Sequence, residues 1–67
     1  MKVQSSTIDE VLYDFDKNEL TVTFVSGGVY VYADVPADVY AKFMDSESKG
    51  RFFHADIKES YVCTKLR

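Results

Sequence analysis

Hydrophobic and polar positions alternate along Leu20-Thr-Val-Thr-Phe-Val25, break at Ser26-Gly27-Gly28, and alternate again along Val29-Tyr-Val-Tyr-Ala33. A period of two built from β-branched and aromatic residues predicts the two strands of an antiparallel hairpin. A three-residue Ser26-Gly27-Gly28 loop, with one glycine at positive φ, would set Phe24 opposite Tyr30 and Val22 opposite Tyr32. That register gathers Leu20, Val22, Phe24, Tyr30 and Tyr32 onto one core-forming face. The other face carries Thr21, Thr23, Val25, Val29 and Val31 and is unusually apolar for a solvated surface.

The same alternation over residues 8–15 predicts a preceding strand, with Val11, Tyr13 and Phe15 on one side and Ile8, Glu10 and Leu12 on the other. Residues 16–19 form the link, where Asp16 and Asn18 tolerate turn geometry. Ser5-Ser6-Thr7 before the strand can supply turn or edge hydrogen bonds. After the hairpin the period changes. Val39, Tyr40 and Phe43 share a stripe at helical spacing, which predicts a short helix over residues 35–44. Asp34 is expected as its cap and Pro36 in its first turn. A second helix is expected from a Ser48 cap to about Lys58, with Phe53, Ile57 and Tyr61 spaced by four. Alternation returns over residues 61–66 and suits a short C-terminal strand. The expected architecture is a single α+β domain over residues 1–67: a three-stranded antiparallel β-meander, two short helices packed on one face, and that short C-terminal strand.

Composition changes this picture little. The chain has 67 residues, 46% of them apolar and 15% aromatic, enough for one modest core without staples. Cys63 stands alone, so no internal disulfide forms and a reducing compartment is expected; as a small residue it suits a partly buried strand position. No apolar run approaches a membrane span, and the first residues lack the apolar core of a signal peptide, so a cytoplasmic location and no membrane partner are expected.

Charge matters more. Residues 1–48 hold three lysines against nine acids, a balance of −6, while residues 49–67 hold five cations against two acids, a balance of +3. The overall −3 argues against indiscriminate binding to polyanions, but a local basic face is compatible with it.

The usual catalytic constellations are missing. Ser46 or Ser48, His54 and Asp56 crowd into eleven positions, whereas triad members converge from separate elements. His54 and Cys63 fall short of a zinc set, and Gly27-Gly28 lacks the Lys-Ser/Thr and helix of a phosphate loop. No enzyme activity, metal or cofactor is expected.

What remains is Ser48-Lys49-Gly50-Arg51, which sets two cations at the start of the second helix, where free N–H groups already favour anions. Phe52 would offer a ring to a base, with His54 and Lys58 following. These residues form the candidate site for RNA or another anionic ligand. The competing candidate is the Thr21, Thr23, Val25, Val29 and Val31 face, or an exposed strand edge, as a surface for a protein partner or for self-association.

An ordered set of positions runs through almost the whole chain: Ser5-Ser6-x-Ile8, Tyr13-Asp14, Leu20-x-Val22-x-Phe24, Gly28-x-Tyr30-x-Tyr32, Val35-Pro36-x-x-Val39-Tyr40, Ser48-x-Gly50-x-x-Phe53 and Ile57-x-x-x-Tyr61. This set resembles the KTSC domain, a small domain at the C-terminus of some lysyl-tRNA synthetases that also occurs as a free-standing bacterial or phage protein. The resemblance implies a role in RNA metabolism or as a nucleic-acid-binding appendage, and points to Ser48, Lys49, Gly50, Arg51, Phe52 and His54. Leu12 and His54 depart from the glycine and asparagine frequent at those places in the family, and Leu12 implies a better-filled strand.

Overall fold

The computed structural model describes residues 2–67. Its elements are β1 (Ile8–Asp14), β2 (Glu19–Phe24), β3 (Val29–Tyr32), α1 (Ala37–Asp45), α2 (Lys49–Phe52) running into a π-helical turn (Phe53–Ile57), and β4 (Cys63–Lys65). The strands form one antiparallel sheet in the order β1-β2-β3-β4. The C-terminal alternation therefore does make a strand, and the three-stranded meander is completed to four.

The hairpin register differs from the expected one by two residues. Val22 faces Tyr30 and Leu20 faces Tyr32, while Thr23 faces Val29. The cause is which glycine turns the chain. Gly27 has φ +104, where a side chain would be strained, and its N–H donates to the Phe24 carbonyl (2.9 Å). The Phe24 N–H in turn donates to the Gly28 carbonyl (2.8 Å), so the loop is Val25-Ser26-Gly27. Val25 is consequently a loop residue, 60% exposed, and not the last residue of a strand. A slip of two preserves the period, so the inward face keeps its members. Leu20, Val22 and Tyr32 are buried, with Phe24 and Tyr30 packed beside them.

In β1 a bulge corrects the alternation. Ile8 pairs with Phe24 but Glu10 pairs with Thr23, so Asp9 is the extra residue. Ile8 and Val11 both point inward as a result and are fully buried. Leu12 faces outward and is 55% exposed, so it does not fill the strand interior. Phe15 belongs to the turn, two-thirds exposed, with its edge on Tyr13. The Asp14 carboxylate accepts from the N–H groups of Asp16 and Lys17, and Asn18 adopts φ 55 to close the turn.

Helix α1 starts without a side-chain cap. Asp34 sits at φ 56 and does not cap it; Pro36 occupies the N-cap position, and its carbonyl accepts from Val39 and Tyr40. The chain is steered into α1 by a latch between sheet and loop. The Tyr13 hydroxyl donates to the Val35 carbonyl and accepts from the Asn18 side-chain amide, and its ring stacks on Tyr40 at 4.4 Å. Phe43, Phe53 and Ile57 then close over the sheet with Val35, and no polar side chain is buried among the described residues.

Candidate functional site

Residues 5–7 and 48–54 lie far apart in the chain and meet in one polar cleft of about 360 Å³. Each wall is held by local hydrogen bonds. On one side the Ser5 hydroxyl accepts from the N–H groups of Thr7 (3.1 Å) and Ile8 (3.2 Å), and the Thr7 carbonyl accepts from Val25 N–H (2.8 Å). This ties the approach to β1 against the hairpin loop. On the other side Ser48 caps α2, its hydroxyl accepting from Arg51 N–H (3.3 Å). Both serine oxygens act as acceptors, and among the described residues neither hydroxyl proton is donated.

The two cations of the segment have separate duties. The Lys49 ammonium donates to the Ser46 carbonyl, so it seals the junction between α1 and α2. Arg51 is exposed, and among the described residues no hydrogen bond or ion pair engages its guanidinium. Gly50 passes Thr7 and Ser5, where an added Cβ would lie 3.6 Å from the Thr7 hydroxyl oxygen, an ordinary contact distance. His54 is exposed at the end of the cleft, and Glu47 adds a carboxylate to the rim.

Helix α2 is one α-helical turn, prolonged only by the π-helical turn, so the dipole aligned behind its start is short. The backbone then widens: Lys58 N–H donates to the Phe53 carbonyl (2.8 Å), five residues back. That π-helical turn keeps Phe53 and Ile57 in the core. Phe52 stacks on Phe43 (5.6 Å, 22°) and does not line the cleft itself; with Ala55 and Asp56 it lines an adjoining hollow that shares Glu47, Ser48 and Arg51 with the cleft.

Other aromatic groups also adjoin the cleft. A second hollow, about 330 Å³, is lined by Phe24, Tyr30, Tyr32 and Phe53, with Ser26, Gly28 and Lys58 around them. Thr7 and His54 line both cavities, which makes them neighbours. The rings hold one another edge to face, Phe24 on Tyr30 at 5.5 Å and on Phe53 at 5.3 Å. Tyr32 is only 4% exposed, and burial followed by the contact with the Cys63 thiol raises its phenol far above the ordinary tyrosine range. Cys63 itself is exposed, not partly buried as its size suggested. Lys65 sits over the Tyr30 ring at 5.9 Å. Ser5, Ser6, Thr7 and the hollow-lining rings were not legible as site residues, since nothing local in the sequence joins them to residues 48–54.

The outer face of the sheet is uncovered by either helix. Thr21, Thr23, Val29 and Val31 are half-buried by their neighbours there, Val25 lies in the adjoining loop, and Leu12 extends the same face. Among the described residues no group of three or more His, Cys, Asp or Glu could hold a metal ion, and no helix is long and apolar enough to cross a membrane.

Comparison with known proteins places this geometry in company. Residues 4–61 match the family described as the KTSC domain. The chain is 38% identical over 66 residues to a lysine–tRNA ligase of Trichormus variabilis, which covers 98% of this chain but 12% of the ligase. It is 34% identical over 64 residues to a protein of Tsukamurella paurometabola, covering 96% of each. The crystal structure of a KTSC domain protein from Yersinia pestis superposes with a TM-score of 0.97 at 39% identity, over 100% of this chain and 94% of that one. The chain thus spans only a small part of the ligases it resembles, and nearly the whole of the shorter relatives.

Proposed function

The chain belongs to the KTSC domain family, found both as small separate proteins and as a short part of lysine–tRNA ligases, and from that premise we propose a non-enzymatic module that binds a phosphate-bearing ligand, RNA foremost. The observation that carries this reading is the cleft between residues 5–7 and 48–54. An unengaged guanidinium, two serine hydroxyls with protons to donate, and His54 converge there from two segments. Arginine and hydroxyl donors together suit the ionised oxygens of a phosphodiester, which accept and do not donate. The ligase relatives add support, since the enzyme that carries the matching segment acts on a tRNA. The acidic remainder of the chain limits loose binding to any polyanion.

Titration with a short single-stranded RNA, followed through backbone amide shifts, tests this. Shifts are expected at residues 5–7 and 48–54. With two phosphates contacted, affinity should fall about sevenfold between 50 and 200 mM salt. Unmoved amides, or an affinity indifferent to salt, would contradict the reading.

A second reading is favoured by the uncovered outer face, where Leu12 extends the surface formed by Thr21, Thr23, Val29 and Val31. Such a face suits self-association or a protein partner. Self-association predicts a sedimentation mass that rises with concentration; a constant monomer mass at millimolar protein removes it.

A further inference from the structure

The aromatic hollow beside the polar cleft has no part in binding a bare phosphate. It is lined by Phe24, Tyr30 and Phe53, rimmed by Ser26 and Lys58, and meets the cleft at Thr7 and His54. Its volume of about 330 Å³ is large enough for one heterocyclic ring with part of a sugar. A phosphate near Arg51 and a ring among these aromatics would lie on either side of His54. That is the layout of one nucleotide: anionic at one end, flat and apolar at the other, with a polar sugar between. The rim groups fit the ring's edges, because the Ser26 hydroxyl and the Lys58 ammonium can donate to base carbonyl oxygens.

We infer that the ligand is an unpaired nucleotide, its phosphate in the polar cleft and its base in the hollow lined by Phe24, Tyr30 and Phe53. This rests on the anion-binding reading above and narrows it. A base in a duplex is excluded, since its faces are covered by stacked neighbours and its edge is paired. Single-stranded RNA, a loop or a free end therefore fits, and an intact helix does not.

The test compares inorganic phosphate, ribose 5-phosphate and uridine 5′-monophosphate, then one RNA sequence as a single strand and as a duplex. The nucleotide is expected to bind roughly tenfold tighter than ribose 5-phosphate, in line with base–aromatic contact, and to move the ring-proton signals of Phe24, Tyr30 and Phe53. The single strand should bind more tightly than the duplex. Tyr30→Leu, which keeps apolar bulk, should erase the advantage of the nucleotide while leaving phosphate binding in place; if that variant misfolds, the ring shifts of the unaltered protein decide. Equal affinity for the nucleotide and ribose 5-phosphate, with the rings unmoved, overturns the inference and leaves the anion site standing. Failure of every probe to bind removes both. Tighter binding of O-phosphotyrosine than of the nucleotide also overturns it, transferring the hollow to a phosphorylated protein.

Discussion

Replacing Phe43 by alanine is expected to cost about 3–5 kcal/mol of folding stability, the range for emptying a buried phenylalanine site. Phe43 is the one fully buried residue of α1 and stacks on Phe52, so it fastens α1 to the sheet and α2 to α1. A domain of 67 residues holds a total stability near the low end of ~5–15 kcal/mol. The substitution should therefore leave a substantial unfolded population at 37 °C. In urea, with a slope of about 1 kcal/mol per molar for so small a chain, the midpoint should drop by about 3 M. A drop below about 1 M would mean that the site collapses around the cavity, and that Phe43 is not the principal fastening.

Reversing the charge of Arg51 should do the opposite: strong loss of binding with an intact fold. The side chain is exposed and unengaged, so Arg51→Glu should shift stability by no more than about 0.5 kcal/mol. Within the cleft it exchanges an attractive guanidinium for a carboxylate beside Glu47. RNA affinity at low salt should fall more than tenfold, and the salt dependence should flatten because fewer counterions are released. Lys49→Ala makes a poor substitute for this test. Its ammonium holds the Ser46 carbonyl, so its loss loosens the α1–α2 junction and mixes stability with binding. RNA affinity within twofold of the original after Arg51→Glu would sink the proposed site.

The contrast between Lys49 and Arg51 shows how far sequence carries the candidate site. Both are cations two positions apart in the same turn, and local spacing treats them alike. Which one remains free depends on where the C-terminal end of α1 comes to rest. Phe52 and Phe53 pose the same problem. Either could face a ligand, yet packing sets Phe52 on Phe43, in a hollow shared with Arg51, while Phe53 goes inward and closes one side of the aromatic hollow.

Element types follow from period and chemistry. Alternating β-branched and aromatic residues make β2 and β3, the Val39, Tyr40 and Phe43 stripe makes α1, and Ser48 opens the second helical stretch. The faces of the hairpin follow too, because a two-residue slip keeps the same residues inward. Exact register and the β1 bulge do not follow. They hinge on which glycine adopts positive φ and on a single extra residue at Asp9, differences that composition hardly marks. The cleft is more distant still from the one-dimensional pattern. Ser5 and Ser48 are separated by most of the chain; the N–H groups of Thr7 and Ile8 fix the Ser5 hydroxyl, that of Arg51 fixes the Ser48 hydroxyl, and the fold brings the two segments together in one cleft. The opening hairpin keeps its inward tyrosines, but Tyr30 is only half-buried and lines the hollow beside His54. Short-range periodicity settles which face of each element is apolar; joining those faces is a long-range choice, and the site exists only where they meet.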